Sequence, residues 1–149
     1  REALKWVSGA KERSSIYSSM GNYLYQLGHE KKAFKSFEQA LKLNPDDIST
    51  LNNYAYFLSL SGKKLRKAEK MSRRVLESNP DNDSYLDTYG WILHLLGRDA
   101  QAKPYFKRAM IYGGKESATV LLHYSEVLEA LGEKDLADYY RKLAEMKEK

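Results

Sequence analysis

Few residues in this chain have the types and spacing for chemistry. It has three histidines and no cysteine, which excludes thiolate ligands, disulfides and cysteine nucleophiles. His29 falls in a turn-like stretch, whereas His94 and His123 fall in helix-period runs. His123 and Glu126 stand at i, i+3, a spacing that can bring two metal ligands to one helix face. Two ligands do not make a metal site, and no third is evident at a fitting spacing. G-x-S-x-G, Walker A and H-E-x-x-H motifs are absent. The reading is therefore a non-catalytic chain with no metal and no cofactor. What remains is the chemistry of binding: Trp91, many tyrosines and several asparagines, all able to contact a partner.

The elements that must position these residues show in "SYLDTYGWILHLLGRDAQA", residues 84–102. The run has helix periodicity, yet Gly90 sits inside it at a cost of about 1 kcal/mol relative to alanine. The whole chain favours helix, with only 3 prolines in 149 residues. Hydrophobic residues at 42% and charged residues at 30% fit a single globular domain long enough to bury a core. No apolar run reaches the roughly 18 residues needed to span a bilayer. The opening at Arg1, with no methionine and no signal-like segment, reads as a piece of something longer.

The net charge of +5 is unevenly placed. Residues 48–82 hold seven basic and three acidic side chains, while residues 117–149 hold five and seven. The excess lies in "KKLRKAEKMSRR", residues 63–74. Such a run reads first as a solvated helix face. It has no interleaved aromatics, which disfavours nucleic acid.

Internal periodicity decides the fold. Glycines at 28, 62, 97 and 132 are spaced 34, 35 and 35 apart, and alanines at 33, 68, 102 and 137 follow at 35, 34 and 35. Ala40, Val75, Ala109 and Ala144 keep the same register, and Pro45, Pro80 and Gly114 close the units. Each unit reads as two amphipathic helices with a glycine-bearing turn between them. Proline ends the second helix because it pushes the preceding residue out of the α region.

These positions resemble the tetratricopeptide repeat (TPR) family, whose pattern runs x2-L-G-x2-Y, A-x3-F, P. Unit one, 14–47, supplies Tyr17, Met20, Gly21, Leu24, Ala33, Phe37, Ala40 and Pro45. Unit two, 48–82, supplies Leu51, Tyr54, Ala55, Leu58, Ala68, Val75 and Pro80, with Ser72 for the aromatic and one extra residue near "GKKLRKA". Unit three, 83–116, supplies Leu86, Tyr89, Gly90, Leu93, Ala102, Phe106 and Ala109, with Gly114 for proline. Unit four, 117–149, supplies Leu121, Tyr124, Ser125, Leu128, Ala137 and Ala144, with Arg141 where an aromatic is expected. Residues 1–13 read as the second helix of a truncated preceding unit, with Ala3, Val7 and Ala10 at the marker spacing. Arg141 and "YYRKLAEMKEK" read as the closing end of the array. The resemblance implies an all-α, right-handed solenoid of helix-turn-helix repeats acting as a protein-interaction scaffold. The order of motifs is similar to the carboxy-terminal module of long TPR proteins in the envelope of Gram-negative anaerobes. That likeness implies a periplasmic or outer-membrane-associated address, with the cytoplasm as the alternative.

A TPR array presents a concave groove lined by the first helix of every unit. Offsets 2, 5, 9 and 12 of that helix share one face. They place Asn22 and Tyr25 in unit one, Asn52 and Tyr56 in unit two with Asn53 beside them, Asp87, Trp91 and His94 in unit three with Thr88 beside them, and Glu126 in unit four with His123 beside it. Amide side chains there can donate to and accept from a peptide backbone, and aromatic rings can act as anchors. In the chaperone-binding TPR class, two asparagines and three cations clamp a terminal carboxylate. Asn22 and Asn53 match the asparagines, but Ser18, Ser84 and Thr88 stand at cationic positions, so the charge-assisted bonds are lost. The expected ligand is thus a peptide or helix of a partner protein. The alternatives are an anionic partner, nucleic acid or lipid, on Lys63, Lys64, Arg66, Lys67, Lys70, Arg73 and Arg74, and self-association through the exposed amino-terminal end.

Overall fold

The computed structural model describes the backbone of residues 2–148 and the side chains of residues 9–148. Ala3 and Val7, expected at small positions of the leading helix, have side chains outside the described residues. Among the described residues there are eight α-helices and no strand: α1 (Glu2–Gln26), α2 (Glu30–Leu43), α3 (Ile48–Ser61), α4 (Leu65–Ser78), α5 (Asp83–Leu95), α6 (Asp99–Ile111), α7 (Ala118–Ala130) and α8 (Lys134–Glu148). The chain divides into two compact units, one reaching to Phe57 and one beginning at Leu58, where the sequence reads as one domain.

Turn chemistry sets the helix lengths. Gly28, Gly97 and Gly132 have φ of 87°, 79° and 81°, a left-handed conformation that glycine adopts at no steric cost. At each, the next residue's N–H reaches back to the preceding helix: His29 to Leu24, Arg98 to Leu93 and Glu133 to Leu128, at 2.9, 2.8 and 2.9 Å. The extra residue after Gly62 is absorbed differently. There Lys64 also takes a positive φ, 52°, before α4 begins. Side chains of Asn82 and Ser117 accept from the N–H groups of Tyr85 and Val120, capping α5 and α7.

Two features depart from the sequence reading. The leading helix expected over 1–13 has no break after it, and α1 runs unbroken from Glu2 to Gln26. "KERSS" contains neither glycine nor proline, so nothing there stops a helix already propagating. Gly114, standing where earlier units have proline, opens a 3-10 turn over Gly114–Glu116. A Cβ on Gly114 would lie 2.7 Å from the Ala109 carbonyl oxygen, so only glycine allows this close reversal.

The unit reaching to Phe57 has an aromatic core. Phe37 stacks on Tyr54 with centroids 5.3 Å apart, and Tyr25 stacks on Phe57 at 4.1 Å. The Tyr54 hydroxyl donates to Glu38 at 2.7 Å, and Thr50 donates to Asp47 and accepts from the Ser18 hydroxyl. In the unit from Leu58, α5–α8 share one core around Leu86, Leu93, Phe106, Tyr124 and Leu128. Phe106 stacks on Tyr124 at 5.6 Å.

The small residue of each first helix is matched to a ring on its partner helix. A Cβ added at Gly21 would meet the Phe37 ring at 2.7 Å, and one added at Gly90 would meet Phe106 at 2.6 Å. In the other two repeats, Ala55 and Ser125 hold this position, and Ser72 and Arg141 hold the register position of the phenylalanine. Where the second helix brings a ring, the first supplies a glycine.

A polar network ties α4 to α5. Arg73 donates twice to Glu69, at 2.8 and 2.5 Å, and the Tyr89 hydroxyl donates to the same carboxylate at 2.9 Å. Arg73 holds the Glu69 carboxyl below its ordinary range, with Tyr89 assisting against the opposing effect of burial. The Tyr89 hydroxyl is pushed up to about 12, by burial first and then by Glu69.

Two measurements check this packing. Gly90→Ala should destabilise by about 1–3 kcal/mol in urea unfolding, because overpacking exceeds the helix-propensity gain of about 1 kcal/mol. Phe106→Leu in the same chain should restore part of the loss. Glu69, with a depressed folded pKa, stabilises above its ordinary value of 4.5, and that contribution is lost as pH falls through the folded value. Stability measured from about pH 5 to pH 3 should therefore fall more steeply for the native chain than for Glu69→Gln.

Candidate functional site

The residues expected on the first-helix faces differ in how far they are offered to a partner. On α1, Asn22 is half-buried, and Tyr25 is held between Phe57 and Phe34, 4.1 and 6.1 Å away. On α3, Asn53 and Tyr56 are half-buried, but Asn52 is only 7% exposed. The side-chain oxygens of Asn22 and Asn52 are buried and accept no hydrogen bond among the described residues. Each is an unmet polar group of a kind that costs roughly 1–3 kcal/mol.

The unit from Leu58 assembles a more specific group. Asp87 on α5 lies 2.8 Å from Nδ1 of His123 on α7, with the imidazole N–H donating to the carboxylate. The His123 ring in turn stacks on the Trp91 indole, centroids 4.0 Å apart and planes 18° from parallel. His94 also approaches the indole, with centroids 4.8 Å apart and planes tilted by 33°, and its own Nδ1 pairs with Asp99 at the start of α6. The indole is thus braced by two imidazoles, each fixed by a carboxylate. Trp91 is half-buried, and its Nε1–H is buried and donates to no acceptor among the described residues.

Helical spacing explains the convergence. Asp87, Trp91 and His94 lie at i, i+4 and i+7 of α5, one face of a helix of 3.6 residues per turn. His123 sits one repeat further on, 36 residues from Asp87, and reaches back to that face. The braced ring costs little side-chain entropy on contact, which suits an anchor for a partner.

Two expectations need correction. Thr88 is 4% exposed, and its hydroxyl donates to the Ser84 carbonyl of its own helix at 3.1 Å. Asp87 is 7% exposed and committed to His123. Neither offers a free polar group, because the wheel angle that places them near the inner face also places them against the next helix. His123 and Glu126, the metal-spaced pair, do different things: His123 holds Asp87, while Glu126 is exposed. Among the described residues no group of three histidines, cysteines or carboxylates gathers at a point. Sequence reading missed Asp99, whose only signal was a carboxylate five residues past His94, across the glycine turn.

A double-mutant cycle with Asp87→Ala and His123→Ala should return a coupling of about 1 kcal/mol in urea unfolding, as expected for a shielded, partly charged hydrogen bond. A value indistinguishable from zero would show that the pair does not join α5 to α7.

The comparisons with known proteins agree on the fold. A family model described as Tetratricopeptide repeat matches residues 2–149. A TPR repeat-containing protein, MJ1428 of Methanocaldococcus jannaschii, is 45% identical over 65 residues, covering 42% of this chain. That match takes in 12% of the relative's length, so it speaks for the repeats and not for the whole archaeal protein. Among solved structures, PilW, titled a widely conserved type IV pilus biogenesis factor, has a TM-score of 0.77 at 25% identity, covering 88% of this chain and 60% of that one. Pseudomonas aeruginosa pilF has a TM-score of 0.75 at 20% identity, with 90% and 60% covered. MamA from MSR-1 has a TM-score of 0.69 at 21% identity, with 98% and 94% covered. A repeat register of 34–35 residues, paired helices closed by left-handed glycines and a family match along nearly the whole chain lead to one assignment: the chain belongs to the tetratricopeptide repeat family, an all-α class of repeat scaffolds for protein–protein interaction.

Proposed function

We propose that the first-helix faces bind an extended peptide or a helix of a partner protein, with Trp91 as the principal anchor. The observation carrying this reading is the indole held in contact with both His94 and His123, each fixed by a carboxylate. A ring already held in place loses little rotamer freedom when a partner covers it. Its Nε1–H is buried, so the indole offers a partner its ring surface. In the unit reaching to Phe57, the half-buried Asn22 and Asn53 carry the amide chemistry that an extended backbone uses. Glu126 is exposed on the α7 face and disfavours an acidic ligand there, in keeping with the missing cations of the carboxylate clamp. The likeness to envelope modules of Gram-negative anaerobes makes periplasmic and outer-membrane proteins the first partners to try.

Affinity capture from the source cell tests the reading. Trp91→Ala and Asn53→Ala should each retain several-fold less partner than the native module, with far-ultraviolet circular dichroism and melting unchanged. Unchanged capture by both variants would place the partner surface elsewhere.

A further inference from the structure

On the opposite face of α5 from Trp91, two adjoining cavities open between α4 and α6. One, of about 390 Å³, is lined by Tyr89, Leu93, Gln101, Pro104, Tyr105 and Arg108. The other, of about 210 Å³, shares Tyr89, Tyr105 and Arg108 and adds Arg73, Leu76, Glu77 and Pro80. The larger falls within the roughly 300–1,000 Å³ of ligand-binding clefts. Tyr89 and Leu93 lie two residues either way from Trp91, about half a turn around the helix, so this cleft is separate from the first-helix face.

We propose that this cleft is a second binding site, and that it takes an acidic peptide segment carrying an aliphatic side chain. The floor is apolar, made by Leu93, Pro104 and the edge-to-face pair Tyr89–Tyr105, whose planes meet at 84°. Rings set on edge give no parallel platform for successive bases, so the floor suits an aliphatic group better than a nucleic acid. Pro104 also stands inside α6, where proline has no N–H to give the Ala100 carbonyl and costs about 3 kcal/mol. That cost falls at the wall of the cleft.

The neighbouring α4 surface supplies the charge. Residues 63–74 of the α4 region carry seven cations against one carboxylate, Glu69. Glu69 is itself buried and already engaged by Arg73 and Tyr89, so it contributes little repulsion at the surface. Arg66, Lys70 and Arg73 are exposed along α4. Arg108 at the far wall reaches the Pro80 carbonyl at 2.7 Å and Asp81 at 3.0 Å, which holds its guanidinium in place. Glu77 is the one acidic residue in the lining. Arg73 and Arg108 are each paired with a carboxylate, Glu69 and Asp81, so the positive excess beside the apolar floor comes from Arg66 and Lys70 of α4, and that excess is complementary to acidic residues flanking a leucine. The basic run thus acquires a ligand class that composition alone did not give.

The test uses a fluorescein-labelled hexapeptide, Asp-Glu-Leu-Leu-Asp-Glu, titrated with the whole chain by fluorescence polarisation. Binding should saturate and weaken with added salt. It should weaken at least about tenfold, or about 1.4 kcal/mol, when serines replace the leucines. A similar loss is expected for Arg66→Glu with Lys70→Glu, and for Gln101→Trp, which fills the cleft from an exposed helical position. Trp91→Ala should bind as the native chain does. The proposal is overturned by absence of saturable binding, by full binding to Gln101→Trp, or by loss of binding in Trp91→Ala. It is equally overturned if a short oligothymidine strand binds more tightly than the peptide with the same sensitivity to these variants, since the site would then be for nucleic acid.

Discussion

Everything in this fold depends on how closely two helices of one repeat can approach. At Gly21 and Gly90 the phenylalanine ring of the partner helix occupies the place where a Cβ would stand, 2.6–2.7 Å away. A glycine inside a helix weakens it by about 1 kcal/mol, and here that loss is offset by a fully buried ring. Phe37 and Phe106 are among the largest side chains with no exposure at all. The second helix then sits close enough to bury Ala33, Ala40, Ala102 and Ala109 completely. Repeats without the ring, at Ser72 and Arg141, carry alanine and serine instead of glycine. The pairing is one of volume, and it varies from repeat to repeat without changing the register.

That close packing also shapes the functional face. With the second helices of the repeats filling one side of α5, Asp87 and Trp91 are left to meet His123 of α7. Asp87 and His123 join two first helices by a hydrogen bond, and the indole is held against the imidazole as a consequence. Rigidity at this face is therefore inherited from the scaffold. On the other side of α5, Tyr89 is drawn toward Glu69, and the cleft beside Tyr105 is what the packing of α4 and α6 leaves unfilled.

Periodicity made the fold legible because a solenoid repeats its local rules. Left-handed glycines, buried small residues and helix-ending prolines recur every 34–35 residues, and each has a local physical cause. Departures were harder to read. The break expected after residue 13 depended on a truncated repeat, and no residue there forces a turn, so α1 continues. The face residues were legible by type and helix angle only. Asn52 and Thr88 have the angle of the inner face but lie against neighbouring helices, 7% and 4% exposed. A helical wheel gives direction from the axis; it does not give the distance to the next helix.

The sequence by itself determined the helical class, the repeat register, the turn positions and the absence of a motif for catalysis. These follow from backbone sterics and from hydrophobic spacing within a few tens of residues. Only the tertiary structure decided which polar residues are spent on one another: His123 on Asp87, His94 on Asp99, and Arg73 and Tyr89 on Glu69. His123 and Asp87 are 36 residues apart, and Tyr89 and Glu69 are 20 apart. Such pairs form because stacked repeats bring distant residues within about 3 Å, a distance that no one-dimensional spacing encodes. The same stacking turned Trp91 from one aromatic residue among many into a braced ring.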